Sequence, residues 1–393
     1  MISFSRKITV FSFILTIFVI WIHAVNAGLC SLQLDELASI NEVSDIDVQL
    51  LNSGMTAAAG SFGIKLCFSI QKILGTGLGQ IAVPGFFAMS GYLFFKDADK
   101  AVDLAYFAKK WKRRISSLLI PFLLWNTIYY IIYVIIGKAG TDANSLFNGV
   151  ILNRYNPVFW YLRELLVLTV LTPIIYILLK SKNAALSVLC LSFILAVFYD
   201  LLPYHIVNED ALFYYMTGAF ASLNLKHSVE TENAKWKKVF ILALIAFAIF
   251  DFICTICEGR LRMILSGTIG GRAAGYIMLF SLINLISSRT SKTEKASKTS
   301  KASKESSDMN CENDKAGDVP AFMQFNFLIY ALHYLEIRFF RLLFKAVGVG
   351  FIVTESIGFL LMPVFCTAVS AAVGIIMKRY IPKTYRILTG GRG

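Results

Sequence analysis

Apolar runs of about twenty residues recur along the chain, and no other feature limits its fold so strongly. A helix of that length crosses the ~30 Å hydrocarbon core of a bilayer. Ten such spans are expected, over 8–27, 77–95, 115–137, 157–179, 184–202, 211–225, 239–257, 268–287, 322–345 and 349–377, the sixth being short. The stretch 56–74, with Lys65 and Lys72, reads either as an interfacial helix or as an extension of the second span. The fold class expected is all-α: a polytopic membrane protein, a bundle of about ten transmembrane helices. Charged residues make up 16%, against about a quarter in a soluble domain, which excludes an ordinary soluble enzyme and a disordered chain. Seven Cys in 393 residues are too few for a disulfide-stapled module.

The charge is +13, from 38 Lys and Arg against 25 Asp and Glu. In a soluble protein that excess would suggest nucleic acid. Here it is expected in cytoplasmic loops, where it sets orientation, and no nucleic-acid partner is expected. With the N-terminus inside, most of the Lys and Arg fall in inside segments, among them Lys109–Arg114, the loop 288–321 and the tail from Lys378. The opposite loop 28–55 has no Lys or Arg but carries Asp35, Glu36, Glu42, Asp45 and Asp47. The expected topology is N-in and C-in in the cell (inner or plasma) membrane.

Three regions follow from this pattern. Residues 1–287 form the core with spans one to eight. Residues 288–321 are rich in Ser and Lys, cannot bury a core and are expected as a flexible cytoplasmic linker. Residues 322–393 hold spans nine and ten and the cytoplasmic tail. A cleavable signal peptide is the alternative for the first 27 residues, since Arg6 and Lys7, an apolar run and Val25-Asn26-Ala27 fit that layout too. The run is long for such a peptide, and its removal would invert the charge argument.

Charged groups in lipid cost about 2.5–3.5 kcal/mol each on insertion scales, so each needs a reason. His23, Arg163, Glu164, Asp251 and Arg272 all fall in the outer part of their spans, and His333 lies near the middle of span nine. Converging on one depth, they suggest a polar cavity open to the outside with His as an acid/base group. The plainer account is snorkelling Arg and Glu near helix ends and a His bonded to a nearby carbonyl. At the inner face, Lys109-Lys110-Trp111-Lys112-Arg113-Arg114 precedes span three. It suits a phosphorylated donor, although orientation signalling alone would also require it. Cys254-x-x-Cys257 has no second pair for zinc, Gly75-Thr-Gly-Leu-Gly79 follows no strand, and no metal site is expected.

Five segments in order resemble acyltransferase family 3, the integral-membrane acyltransferases that O-acetylate glycans. They are VFSFILTIFVIWIHA (10–24), ending in a His, VPGFFAMSGYLFF (83–95), KKWKRRISSLLIPFLLW (109–125), NPVFWYLRELLVLTVLTPIIY (156–176) and FLIYALH (327–333). Two positions depart from the family pattern. Ser12 stands eleven residues before His23, where many members carry Arg, and Lys112-x-Arg114 is the nearest match to an Arg-x-Arg in the basic loop.

The resemblance implies acyl transfer from a cytoplasmic acyl-CoA, acetyl-CoA above all, to a glycan hydroxyl on an envelope or lipid-linked polysaccharide. CoA enters as donor substrate, with no bound cofactor. His23 is expected as the general base and Lys112, Arg113 and Arg114 as the holders of the CoA phosphates. Arg163, Arg272 or a backbone N–H would stabilise the oxyanion, and Glu164 would pair with an Arg or orient the sugar. Trp160 and Tyr330 offer flat faces to a sugar, and His333 belongs to the acceptor side. A transporter or flippase for a glycan or lipid is the competing class, since it would use the same intramembrane charges; the inverted repeat that would favour it is not visible in the sequence.

Overall fold

The computed structural model describes residues 3–27, 29, 61–98, 102–197, 208–231, 235–256, 268–302 and 320–391. Among these the chain is helical, with no strand. The loop 28–55, apart from Leu29, and the part of the 288–321 segment beyond Ala302 that ends at Val319 lie outside the described residues.

The first helix, α1, is Phe4–Ala24. Next, α2 (Ser61–Gln71) runs through a π turn (Lys72–Gly77) and a 3-10 turn (Leu78–Ile81) into α3 (Ala82–Phe95). The stretch with Lys65 and Lys72 is thus, from Ser61 on, an extension of the second span. α4 (Leu104–Arg114) passes through a second π turn, Ile115–Leu119, into α5 (Ile120–Ile135). Pro121 follows that π turn, and its missing N–H fits the break in the regular helical ladder there. After the short α6 (Ala143–Val150) come α7 (Trp160–Val170) and α8 (Thr172–Leu179), bent by 63° at the break. Pro173 explains the bend: it lacks an N–H and its ring displaces the carbonyl of Thr169. The Thr172 hydroxyl donates to that carbonyl at 2.7 Å.

The chain continues with α9 (Lys182–Val197), α10 (Glu209–Asn224), α11 (Lys235–Ile256), α12 (Thr268–Ala302) and α13 (Asn326–Ala346). One turn (Phe351–Val353) and a third π turn (Thr354–Gly358) lead into α14 (Phe359–Tyr380), and α15 (Pro382–Leu388) ends the fold. Backbone helix α12 runs past residue 288 into the segment expected as a linker.

Among the described residues five stretches are long and apolar enough to cross a membrane: Phe4–Ala24, Phe62–Phe95, Leu104–Ile135, Ile269–Ser288 and Phe351–Tyr380, with the bent α7–α8 pair as a sixth. Each of the ten expected spans falls largely on helix where it is described; of those beyond these six, α9 and α10 are shorter, α13 is more polar, and α11 runs past the residues whose side chains are described. α9 and α10 have 16 residues each. α13 carries Glu336, Arg338, Arg341 and Lys345.

The helices gather into two compact units. The first comprises residues 1–14, 84–110 and 167–323. There α3 and α10 meet at Gly91 and Gly218, where a β-carbon would overlap the carbonyls of Tyr215 and Ala88. Small residues are what allow helix backbones to come this close in a membrane. The Lys7 amine is buried and donates to Asn284 Oδ1 at 3.0 Å. An apolar cavity of about 430 Å³ lies among Ala88, Tyr92, Ala221, Trp236 and Phe280.

The second unit comprises residues 15–83, 111–166 and 324–393. The Tyr129 hydroxyl donates to the Ala331 carbonyl at 2.9 Å, tying α5 to α13. Trp125 Nε1 donates to the Leu388 carbonyl at 3.1 Å, seating α15 on α5. Gly390, at φ +64°, lies against the Ser117 backbone, a conformation and a closeness that favour glycine.

Candidate active site

The second unit brings His23 and His333 together. Their ring centroids are 5.3 Å apart and the planes tilt by 45°. His23 is in the last turn of α1, and His333 is fully buried on α13. The His333 Nδ1 lies 2.6 Å from the Tyr330 carbonyl oxygen. That oxygen only accepts, so the proton sits on Nδ1 and the lone pair on Nε2. Nε2 is buried and has no hydrogen-bond partner among the described residues. A ring nitrogen with a lone pair, fixed by its neighbour, is the equipment of an acid/base group.

Aromatic rings frame the pair. Tyr334 meets the His23 ring edge-on at 6.0 Å, and Tyr330 lies 5.9 Å from the His333 ring. Tyr330 also stacks on Phe159 at 5.5 Å and donates its hydroxyl to the Val158 carbonyl at 2.6 Å. Through these contacts the start of α7, with half-buried Trp160, is held beside α13. One turn on, Arg163 Nη2 lies 3.4 Å from Glu164 Oε1, with the arginine 44% exposed and the glutamate 9%.

Several site residues escape a reading of the sequence by depth. Arg341 Nη2 donates to the Ala24 carbonyl at 2.6 Å and lies 3.3 Å from Glu355 Oε2. Gln71 Nε2 donates at 2.8 Å to both the backbone carbonyl and the carboxylate of Glu355. Arg338 donates to the Tyr133 and Tyr334 hydroxyls at 2.6 and 2.7 Å. Buried Glu336, one turn after His333, accepts from Ser370 Oγ at 2.8 Å. The sequence does carry a signal for three of them: Glu336, Arg338 and Arg341 all fall inside the ninth expected span, 322–345.

The remaining predicted residues lie elsewhere. Lys112 and Arg113 are exposed and Arg114 half-buried in the last turn of α4. α15, which carries Lys383 and Arg386, packs against α5 near Ser117. Arg272 belongs to the other unit, where it pairs with Asp210 at 3.7 Å. The side chain of Asp251 lies outside the described residues.

Helices long and apolar enough for a bilayer, with an imidazole pair among them, define an integral-membrane protein. The family model described as an acyltransferase domain matches residues 6–379, nearly the whole chain. The chain belongs to acyltransferase family 3, a family of membrane-embedded enzymes. It is also similar to the succinoglycan biosynthesis protein ExoH of Rhizobium meliloti (strain 1021), with 26% identity over 172 residues. That match takes in 39% of this chain and 44% of the relative, so the chain spans under half the length of the curated protein it matches. No solved structure matches.

Proposed function

We propose that this protein is a ten-span O-acyltransferase of the cell membrane, N-in and C-in. It takes an acyl group, acetyl in the simplest case, from cytoplasmic acyl-CoA to a hydroxyl of an envelope polysaccharide or its lipid-linked precursor. The observation that carries the reading is the His23–His333 pair, 5.3 Å apart, inside a chain of this family. The similarity to a succinoglycan biosynthesis protein supports a polysaccharide acceptor. The bias of Lys and Arg toward one set of loops supports the orientation.

His23 is the general base. It takes the proton of the sugar hydroxyl as the oxygen attacks the thioester carbonyl, and the C–O bond forms. The tetrahedral intermediate collapses, the C–S bond breaks, and the proton passes from His23 to the departing CoA thiolate. Base catalysis of this kind contributes about 10²–10⁴ in rate. His333, its tautomer set by the Tyr330 carbonyl, lies beside His23 on the acceptor side and works with it on that one proton. The exposed part of the Arg163 guanidinium is the candidate for the developing oxyanion, a contribution of similar size. Glu164 holds that arginine, and Trp160 and Tyr330 face the acceptor. Arg272 stays outside this scheme, its charge being met by Asp210. Lys112, Arg113 and Arg114 bind the CoA phosphates from the cytoplasm.

Purified protein in detergent, given labelled acetyl-CoA and a polysaccharide acceptor, tests the reading. Label appears on the glycan with the wild type and not with His23→Ala of normal expression and elution. Glycan moved across vesicles without covalent change would overturn it.

A further inference from the structure

The C-terminal end of α1 is held in a way that ordinary helix capping does not require. Its last carbonyls have no partner within the helix, and in a low-dielectric interior each needs a donor. A glycine cap or a water would serve. Here the donor is a guanidinium, 2.6 Å from the Ala24 carbonyl, one residue past His23. The same nitrogen lies 3.3 Å from Glu355 Oε2. Glu355 is buried in the π turn Thr354–Gly358. Gln71 joins the network from the other side: its Nε2 donates twice to Glu355 and its Oε1 accepts from the backbone N–H of Asn26 at 2.7 Å. Thus the last carbonyl of α1 and an N–H just beyond it are tied to one set of three side chains.

Two further contacts narrow the freedom of this end. The π and 3-10 turns that follow Gln71 lie flat against α1 through Gly75 and Gly79. A β-carbon at Gly79 would stand 2.8 Å from Ile22 Cγ1 and 3.0 Å from the Leu74 carbonyl. A single helix, α13, also grips α1 twice: His333 at the His23 ring and, eight residues or ~12 Å further along, Arg341 at the helix end. A buried ion pair is weak evidence for stability, and π turns recur at functional sites. A charge-assisted, forked donor is suited to fixing a geometry.

We propose that Arg341 is a positioning residue: anchored by Glu355 and Gln71, it fixes the end of α1 and thereby the place of the His23 ring relative to His333. This rests on the reading of His23 as the base, but its test does not depend on turnover alone. Two variants, Arg341→Gln and Arg341→Lys, are made in the full-length protein. The rate of His23 modification by diethyl pyrocarbonate is followed by peptide mass spectrometry, with exposed His227 as the internal reference.

In Arg341→Gln the His23 rate shifts severalfold against His227, and the kcat of acetyl transfer falls by roughly 10–100-fold with both KM values kept, the cost of an ångström-scale misplacement. Arg341→Lys, which restores one charged donor, lies between. The proposal is overturned if Arg341→Gln, well folded by helical content and elution, leaves His23 reactivity unchanged. It is equally overturned if activity falls through KM with kcat kept. A wild type that transfers nothing would sink the acyltransferase reading, yet the modification rates would still decide the anchoring role.

Discussion

The two imidazoles give the sharpest test, because their geometry predicts how their losses combine. At 5.3 Å between centroids the rings touch, and touching residues with one task do not contribute independently. The perturbations are His23→Ala, His333→Asn and both together. Asparagine is chosen because its amide nitrogen takes the place of Nδ1 and keeps a donor to the Tyr330 carbonyl, 2.6 Å away in the wild type, while deleting Nε2. Each single loss of an acid/base group costs about 10²–10⁴, or roughly 3–5 kcal/mol of barrier. Independent groups would multiply to about 10⁴–10⁸. A pair working on one proton loses nearly everything with the first change, so the double variant is expected within about tenfold of the worse single. The assay is transfer of label from acetyl-CoA to glycan by purified protein of matched elution profile. Penalties that multiply would refute the reasoning, leaving two histidines in separate roles.

Other expectations follow from separate parts of the molecule. Gly218→Ala forces α3 and α10 apart against backbone, and should cost about 1–3 kcal/mol or more, seen as a lower thermal midpoint in detergent. Gly350→Ala, with open space around it, should leave the midpoint unchanged, and equal effects would count against the close approach. Reversing Lys112, Arg113 and Arg114 to Glu should raise the KM for acyl-CoA more than for the glycan once orientation is verified, and equal rises would remove the donor site from that end. Asp142 caps α6 by accepting from the Ser145 backbone N–H at 2.9 Å and its hydroxyl at 2.6 Å, and these bonds hold its carboxyl below the ordinary value of 3.8. The cap is therefore fully present above about pH 4 and lost as pH falls through the lowered value. Protection of the Ser145 amide in hydrogen exchange should fade over that range, and a fade well above pH 4 would exclude Asp142 as its cause.

Hydropathy made the helical class legible, since apolar runs report what a segment does with lipid. The number of crossings is less legible, because a run such as 322–345 reads as a span although it holds Glu336, Arg338 and Arg341. Depth along a span found His23 and His333, which do meet. It also grouped Arg272 with them, and there the structure answers with Asp210 at 3.7 Å. Depth carries no information about which face of a helix a residue takes or which neighbour waits there. Gln71 shows the limit best: it lies between Lys65 and Lys72, the charges that stand out in that stretch, yet it is the residue that links α1 to Glu355. Nothing local marks a glutamine for that role; only the fold brings positions 26, 71, 341 and 355 together.

The interior polar groups then divide by what answers them. Lys7 meets Asn284, Arg272 meets Asp210, Arg341 meets Glu355, and Glu336 accepts from Ser370. A charge in an apolar interior persists because a partner offsets its desolvation, and a group held in this way serves to fix helices. The imidazoles stand apart: among the described residues neither ring forms an ion pair with a carboxylate, and His333 Nδ1 is bonded to the Tyr330 carbonyl. A neutral ring costs far less to bury than an ion, and it keeps the lone pair that proton abstraction needs. The paired charges around it are what make that economy work, since Arg341 and Glu355 spend their charge on each other and on the end of α1 rather than on the ring. In this unit the paired ions supply the frame around the two rings.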